Sequence, residues 1–438
     1  MPDVVLVNPW IYDFAAYDLW AKPLGLLRLG AGLRQRGYRI ALLDALDPFH
    51  PDLPRRPKRR AYGTGHYFRK PVPKPLPLAD VPRRYARYGM PEDLFRRELR
   101  RLGRPQVFVL TSLMTYWYPG VVEALRLIRE VFPEVPVLVG GIYVNLSPAH
   151  AREVLRDARV ITGGIEETMK EVARLAAPSG EDPPHPYPAF DLLREIPYVV
   201  VSTSFGCPFS CRYCAARLLN PVFHQRPPLE VAEEIVYWHE RFGVRDFAFY
   251  DDALLVNFEG HLGIILEEIL KRGLKVRFHT PNAMHVRLVD GKVARLLKRA
   301  GFETVRFGFE TVSAERHRRL DGKVKAEELS ETLARMREAG FTKRQLGVYL
   351  LWGLPGQDFD EVLRSAEFVA ACGGSPYLSE YSPIPGTSLY PEAREAARYP
   401  LDEDPLFHNN SAFPCLKDPD WSLIEQVKKR ARALREDA

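Results

Sequence analysis

Residues 199–214 read VVVSTSFGCPFSCRYC. A short β-branched run, Val199–Ser202, gives way to a Ser/Gly-rich turn, and three cysteines follow within eight residues at Cys207, Cys211 and Cys214. Val-Val-Val is a buried-strand signal, and the Gly206 turn closes it. Thiolates are soft ligands that select zinc or iron–sulfur clusters. A closed zinc site wants four ligands. No fourth Cys or His lies near in sequence, although Cys372 and Cys415 could return in space. Three thiolates on a cubane would instead leave one iron open for a ligand.

Outward from this stretch the same pattern repeats. Candidate strands are Asp246–Tyr250, Val276–Thr280, Thr304–Phe309, Gln345–Leu351 and Tyr377–Tyr381. Between them lie helical patterns at Leu229–Arg241, Gly260–Lys271, Val293–Ala300, Ala326–Ala339 and Phe359–Ala371. Strand–helix alternation predicts a parallel α/β barrel. Six units are fewer than the eight of a full barrel, so the expectation is a partial (β/α)6 barrel over 198–390. The segment 391–438 reads as a C-terminal extension with a terminal helix at about 421–436. It carries a polar run, His408-Asn-Asn-Ser411.

Upstream, residues 178–197 are dense in proline and read as a linker. Residues 1–177 show a second alternation: strands at Val4–Val7, Arg39–Leu43, Val107–Leu110 and Pro136–Val139, with helices from Pro23 and Pro119. This predicts a doubly wound parallel sheet of Rossmann type, whose ligands sit at the carboxyl ends of the strands. The span 47–104 interrupts it with little periodicity, as a functional or partly disordered loop would. Residues 51–104 hold 16 Lys/Arg and 5 Asp/Glu, a charge of +11 against +6 for all 438 residues, so the remainder is net acidic. Arg55-Arg56-Pro-Lys58-Arg59-Arg60 is interleaved with Tyr62, Tyr67 and Phe68. Such a segment suits an anionic small substrate. It also carries the cations and aromatics of a nucleic-acid surface, the less favoured reading because no RNA-binding motif accompanies it.

The five cysteines exclude a disulfide scaffold. The N-terminus MPDVVLVNPW lacks a basic start and a long apolar run, and nothing approaches the roughly 20 apolar residues of a membrane span. The expectation is a cytoplasmic protein without a membrane partner.

Cys-x3-Cys-x2-Cys after the first strand of such a barrel resembles the radical S-adenosylmethionine (radical SAM) superfamily. The resemblance implies a [4Fe-4S] cluster on Cys207, Cys211 and Cys214, S-adenosylmethionine on its open iron, and reductive cleavage to a 5′-deoxyadenosyl radical. It also implies a one-electron reductant such as a flavodoxin or ferredoxin. Tyr213, before the last cysteine, maps to the adenine contact. Later strand ends match in family order. Tyr250-Asp251-Asp252 stands where the family often has Gly-Gly-Glu, and its carboxylates suit an ammonium group. Asn282 follows the third strand. Glu310, in Gly-Phe-Glu-Thr, follows the fourth. Gly353-Leu354-Pro355-Gly356 follows the fifth, and Pro383-Ile-Pro-Gly-Thr387 the sixth. No catalytic acid or base is singled out; His279, His285 and Tyr349 are candidates by position alone.

The first domain resembles the cobalamin-binding domain often fused before such barrels. Thr111, Ser112 and Leu113, and Gly140, Gly141 and Tyr143, map to its cofactor loops. The family's Asp-x-His-x-x-Gly, which supplies a lower cobalt ligand, is absent. Asp44 is followed by His50 at the wrong spacing, as in an ordinary surface loop. Cobalamin then binds without that histidine or not at all, and methyl transfer depends on which. Two alternatives stand beside this reading: a radical SAM enzyme acting on RNA, and a non-catalytic protein with zinc at the cysteines and nucleic acid on the basic segment.

Overall fold

The computed structural model describes residues 1–180, 185–320, 322 and 324–436. The chain divides into two compact units. One is Met1–Ile196 with Asp402–Ala412; the other is Pro197–Leu401 with Phe413–Ala438.

The first unit is built on five parallel strands, β1 (Val4–Asn8), β2 (Ile40–Asp44), β3 (Val107–Leu110), β4 (Val137–Val139) and β5 (Arg159–Val160), in the order β5-β4-β3-β1-β2. Alternate residues of a strand face opposite ways, and here both faces are covered. Val5, Val7, Phe108 and Leu110 pack with Phe95, Leu99, Val121 and Ile128. Val4, Leu6, Val107 and Val109 pack with Leu29, Leu33, Met169 and Val172. Burial on both sides is why these strands read as continuous apolar runs. The strand order reverses between β1 and β3, so a ligand crevice is expected beyond their carboxyl ends.

The insertion is folded, contrary to its aperiodic sequence. Arg69–Pro71 and Ala86–Tyr88 form an antiparallel sheet with Ile11–Asp13, and Gly65–His66 pairs with Tyr17–Asp18. Tyr67 and Tyr88 bury against Ile11, Ala16, Leu46 and Ala86. Glu92–Leu102 is an amphipathic helix with Leu94, Phe95 and Leu99 inside. Very short strands that bury aromatic rings leave no period-2 trace.

The main path of the second unit's sheet has six parallel strands in sequential order, β6 (Val199–Val201), β7 (Asp246–Phe249), β8 (Arg277–His279), β9 (Phe302–Glu310), β10 (Leu346–Trp352) and β11 (Ser375–Glu380), with the two-residue strand Met284–His285 also pairing parallel to β9. Helices fill the crossovers at Pro228–Phe242, Leu262–Lys271, Gly291–Arg299, Ala326–Glu338 and Phe359–Ala371. β6 and β11 do not pair with each other among the described residues, so the barrel is open. The terminal helix, Trp421–Glu436, buries Ile424 and Val427 against Trp352 and Phe413. Among the described residues no helix is long and apolar enough to cross a membrane.

The units do not follow the expected boundaries. The extension from 391 is divided, because Asp402–Ala412 packs with the first unit. There Asn409 Nδ2 donates to Asp13 at 2.9 Å, His408 Nδ1 meets Thr115 Oγ1 at 3.0 Å, and Tyr118 Oη donates to Asp404 at 3.3 Å. Of the proline-rich linker, residues 181–184 lie outside the described residues. The rest up to Ile196 belongs to the first unit. Phe190 is fully buried, and Asp191 accepts from Arg34 at 2.7 Å and pairs with His185 at 2.9 Å. Burial opposes ionisation of Asp191, but the His185 and Arg34 hydrogen bonds outweigh it and hold its pKa at about 2.

A carboxyl held below its ordinary value stabilises the fold above pH ~4 and loses that contribution as pH falls toward 2. Asp191→Asn should therefore cost about 1–2 kcal/mol at pH 7. The difference from wild type should shrink steadily below pH 4. A constant difference across a pH series of urea unfolding curves would show that the ion pairs do not anchor this segment.

Candidate functional site

β6 and β7 end side by side, and one carboxylate ties their exits together. Asp251, fully buried, accepts from Thr203 N at 3.1 Å, Thr203 Oγ1 at 2.7 Å, and Ser204 N and Oγ at 2.6 Å. Desolvation raises its pKa while these four donors favour the ion. Ser204–Phe205 then pairs with His224–Gln225 as a short antiparallel ribbon. Gly206 has φ +75°, and a Cβ there would lie 2.7 Å from Val222 O, so only glycine makes this turn.

The cysteine loop leaves from that turn. Arg212 anchors it, donating to Arg319 O at 3.1 Å, Ser388 O at 3.0 Å and Glu392 at 2.7 Å. All three cysteines are free thiols, and all three line one cavity of about 410 Å³ at the strand ends. The Cys214 thiol pKa is raised, first by desolvation and then by Asp252, Cys211 and Cys207. Asp252 faces the same cavity, and its carboxyl is pushed up to about 6 by desolvation and by Asp251. Mutually repelling acids in one cavity suit a polycationic occupant.

Among the described residues no three Cys, His, Asp or Glu side chains are gathered around a point the size of a single ion. A zinc site needs such a tetrahedral shell, whereas a cluster takes each thiolate on a different iron. Cys372 and Cys415 do not join the cavity. Cys415 is buried with its thiol pushed up to about 12 by desolvation.

The structure brings Tyr213, Asp252, Asn282 and Glu310 into the same cavity wall. Tyr213 Oη donates to Glu310 Oε1 at 2.8 Å. Glu310 ends β9 with φ +66°, where the register against β10 slips. A left-handed glutamate is strained and persists only where its surroundings hold it. Gly308 makes room, since a Cβ there would stand 3.0 Å from Glu310 Oε1. Asn282 Nδ2 donates to Tyr250 O at 2.8 Å, which leaves Oδ1 as its acceptor for a ligand. Tyr250 and Asp251 back the wall rather than line it. Gly353, Leu354, Pro355 and Gly356 do not line it either. Their loop is held from behind by Arg316, which donates to Pro355 O and Gly356 O at 3.2 and 3.0 Å.

Of the positional candidates, His285 and Tyr349 line the cavity. Tyr349 Oη donates to Pro281 O at 2.9 Å, and the His285 ring lies 4.5 Å from Phe209. His279 is a core side chain, held between Asp246 at 3.0 Å and Thr304 at 2.9 Å. Phe209, Met284 and Ser379 also line the wall. Only Phe209 carried a sequence signal, its place inside the cysteine loop.

In the first unit Ser112 and Gly141 lock two strand exits together. Ser112 Oγ donates to Gly140 O at 2.7 Å, and Ile142 N donates to Ser112 O at 2.7 Å. Gly141 has φ +104°, and a Cβ there would fall 2.3 Å from Ser112 O. Thr111 N continues the sheet to Val7 O at 3.1 Å, and Leu113 follows half-buried. Tyr143 is buried, with Oη 2.7 Å from His150 Nδ1 and its ring stacked on Tyr118. His50, read as a surface residue, is buried instead, 3.6 Å from Glu98, because the folded insertion covers it.

Asp251→Ala should cost on the order of 3 kcal/mol, since it strands four buried donors. Asp251→Asn, which keeps Oδ1, should recover most of that. Calorimetry reads both, and an unshifted Asp251→Ala transition would remove the clamp from the account.

Comparison with known proteins bears on this site. The model of the radical SAM superfamily matches residues 201–369. An uncharacterized methyltransferase of Pyrococcus horikoshii is 24% identical over 341 residues, covering 69% of this chain and 73% of that protein. The anaerobic magnesium-protoporphyrin IX monomethyl ester cyclase of Synechocystis is 27% identical over 241 residues, 52% of this chain, which spans 46% of that relative's length. Among solved structures, the radical S-adenosylmethionine methyltransferase TsrM from Kitasatospora setae superposes with TM-score 0.68 at 16% identity, over 98% of this chain and 89% of that one. The cobalamin-dependent S-adenosylmethionine radical enzyme OxsB superposes with TM-score 0.59 at 14% identity, over 99% and 62%. The barrel unit with its three-cysteine loop holds a radical SAM domain, the part of the chain over which that superfamily's model matches.

Proposed function

We propose that this chain is a cobalamin-dependent radical SAM methyltransferase, with Cys207, Cys211 and Cys214 holding a [4Fe-4S] cluster. The observation that carries the proposal is the convergence of three free thiols, Asp252, Asn282 and the Tyr213–Glu310 pair on one cavity. When bound, the cluster and S-adenosylmethionine supply reductive cleavage to a 5′-deoxyadenosyl radical, and cobalamin supplies a carrier for methyl groups.

The chain's own residues do the positioning. Asp252 and Asn282 Oδ1 present acceptors for an ammonium group, an arrangement that charge-assisted hydrogen bonds favour. Glu310 accepts from Tyr213 on the cavity wall, where its carboxylate would meet a ribose hydroxyl or the amine. Asp251 acts through Thr203 and Ser204, fixing where the cysteine loop begins. In the first unit, Thr111, Ser112 and Leu113 with Gly140 and Gly141 form a ridge at the carboxyl ends of β3 and β4, beside the strand-order reversal where such sheets bind ligands. The cobalamin-dependent enzymes TsrM and OxsB share the fold along nearly all of this chain, which supports placing cobalamin at this ridge. No Asp-x-His-x-x-Gly provides a lower ligand, so the proposal is for cobalamin held by its periphery. The reaction needs a one-electron reductant such as a flavodoxin or ferredoxin and a reducing cytoplasm.

Anaerobic reconstitution should give about four irons and four sulfides per chain, a number fixed by the cluster type. Dithionite with S-adenosylmethionine should then yield 5′-deoxyadenosine. Cys207→Ala, Cys211→Ala and Cys214→Ala should each lose the brown chromophore. Tightly bound zinc in place of iron in intact protein would sink the reading. Gly141→Val should abolish retention of cobalamin through gel filtration while leaving the iron content unchanged; full retention would move cobalamin away from the ridge.

A further inference from the structure

The cations of the insertion fall into two groups. Four of its second half are matched by acids: Arg87 by Glu92, Arg96 by Glu130 at 3.0 Å, Arg97 by Asp52 at 2.6 Å, and Arg101 by Glu98 at 2.6 Å. In its first half Arg59 is matched by Asp18. Arg55, Arg56, Lys58 and Arg69 line one concavity of about 310 Å³, and no carboxylate lines it with them.

This concavity is built rather than draped. Arg59, in the middle of the cationic run, turns away from its neighbours. It donates to the buried Asp18 at 2.5 Å, to His66 O at 3.1 Å and to Gly63 O. The backbone closes on itself, with His66 N donating to Lys58 O at 3.0 Å and Arg60 N to Thr64 O at 2.7 Å. Gly65 permits that approach, since a Cβ there would sit 2.6 Å from Lys58 O. Behind the cations, Tyr67 and Tyr88 are buried, so the floor is fixed. Tyr17, 41% exposed, offers a ring at the rim, with His66 edge-on at 5.0 Å.

Four cations held around one concavity repel one another, and among the described residues no carboxylate lines it beside them. The same field shows at His66, whose pKa is lowered by desolvation and then by Arg60, Arg69, Lys58 and Arg59. Its imidazole therefore stays neutral at pH 7 and can hydrogen-bond without adding charge. Guanidinium forks match phosphate oxygens bidentately, and a tyrosine face takes a flat ring. The volume is that of a small-molecule pocket. A track for nucleic acid would continue along the insertion, but there Arg87, Arg96, Arg97 and Arg101 are matched by acids.

We propose that this pocket binds a small phosphorylated anion of nucleotide-like chemistry, with phosphates on Arg55, Arg56, Lys58 and Arg69 and the ring against Tyr17. The site lies in the first unit and is independent of the cluster and cobalamin reading.

The test uses the full-length chain and a fluorescent N-methylanthraniloyl ATP, followed by anisotropy without reconstituted cofactors. Saturable binding should be displaced by pyrophosphate and weakened at least three-fold when salt rises from 50 to 200 mM, as phosphate contacts require. Arg55→Gln with Arg56→Gln should weaken it at least ten-fold, and Arg69→Gln at least three-fold. Arg100→Gln, on an exposed helix position, should leave it unchanged. Circular dichroism and the thermal midpoint establish that each variant is folded. No saturable binding, or equal losses in Arg100→Gln, overturns the proposal. So does a single-stranded RNA that displaces the probe and binds the double variant as tightly as wild type, which would make the insertion a nucleic-acid surface.

Discussion

The barrel's chemistry hangs on one buried carboxylate. Asp251 gathers the backbone and hydroxyls of Thr203 and Ser204, and by doing so it pins the exit of β6 to the exit of β7. A carboxylate this deep is tolerated because four donors replace its water. Everything downstream inherits the constraint. Gly206 turns immediately after the clamp, the cysteine loop starts at a fixed point, and Arg212 holds its far side. Asp252, one residue on from the anchor, faces the cavity, its carboxyl pushed up by desolvation and by Asp251. Adjacent carboxylates thus take opposite roles, one structural and one presented.

Strain is distributed in the same spirit. Glu310 sits in a backbone conformation unusual for its type, at a slip in the β9–β10 register. That slip turns the strand's last side chain back across the cavity, where Tyr213 can reach it. Gly308 and Tyr213 look unrelated in the chain, yet both exist around this glutamate: one leaves space for its carboxylate and the other donates to it.

Charge is organised by a different rule. The insertion is strongly basic as a sequence, but Arg96 of its second half meets Glu130 outside the segment and Arg101 meets Glu98 within it. Four others, Arg55, Arg56, Lys58 and Arg69, gather in one concavity with Tyr67 and Tyr88. The net charge of a segment says how much positive charge exists; only the fold says how much of it is available. The tail shows the same point for polar residues. His408 and Asn409, a run without obvious purpose in the chain, meet Thr115 and Asp13 in the first unit.

The sequence by itself determined the parallel α/β class of both units and nearly every barrel strand, and it singled out the cysteine loop that the structure places at the strand ends. These were legible because they rest on local rules: β-branched runs, helical periodicity, and ligand types at short spacing. Tyr213, Asp252, Asn282 and Glu310 were legible as well, each at the end of a strand whose place in the order was known. Tertiary structure alone decided that Asp251 braces while Asp252 faces inward, that Gly353–Gly356 stands off the cavity wall, and that His279 is core. It also decided that His50 is buried, that the insertion folds, and that Asp402–Ala412 belongs with the first unit. Each of those outcomes depends on partners far away in the chain, and local propensity carries no information about which distant group will fill a donor, cover a ring or offset a charge.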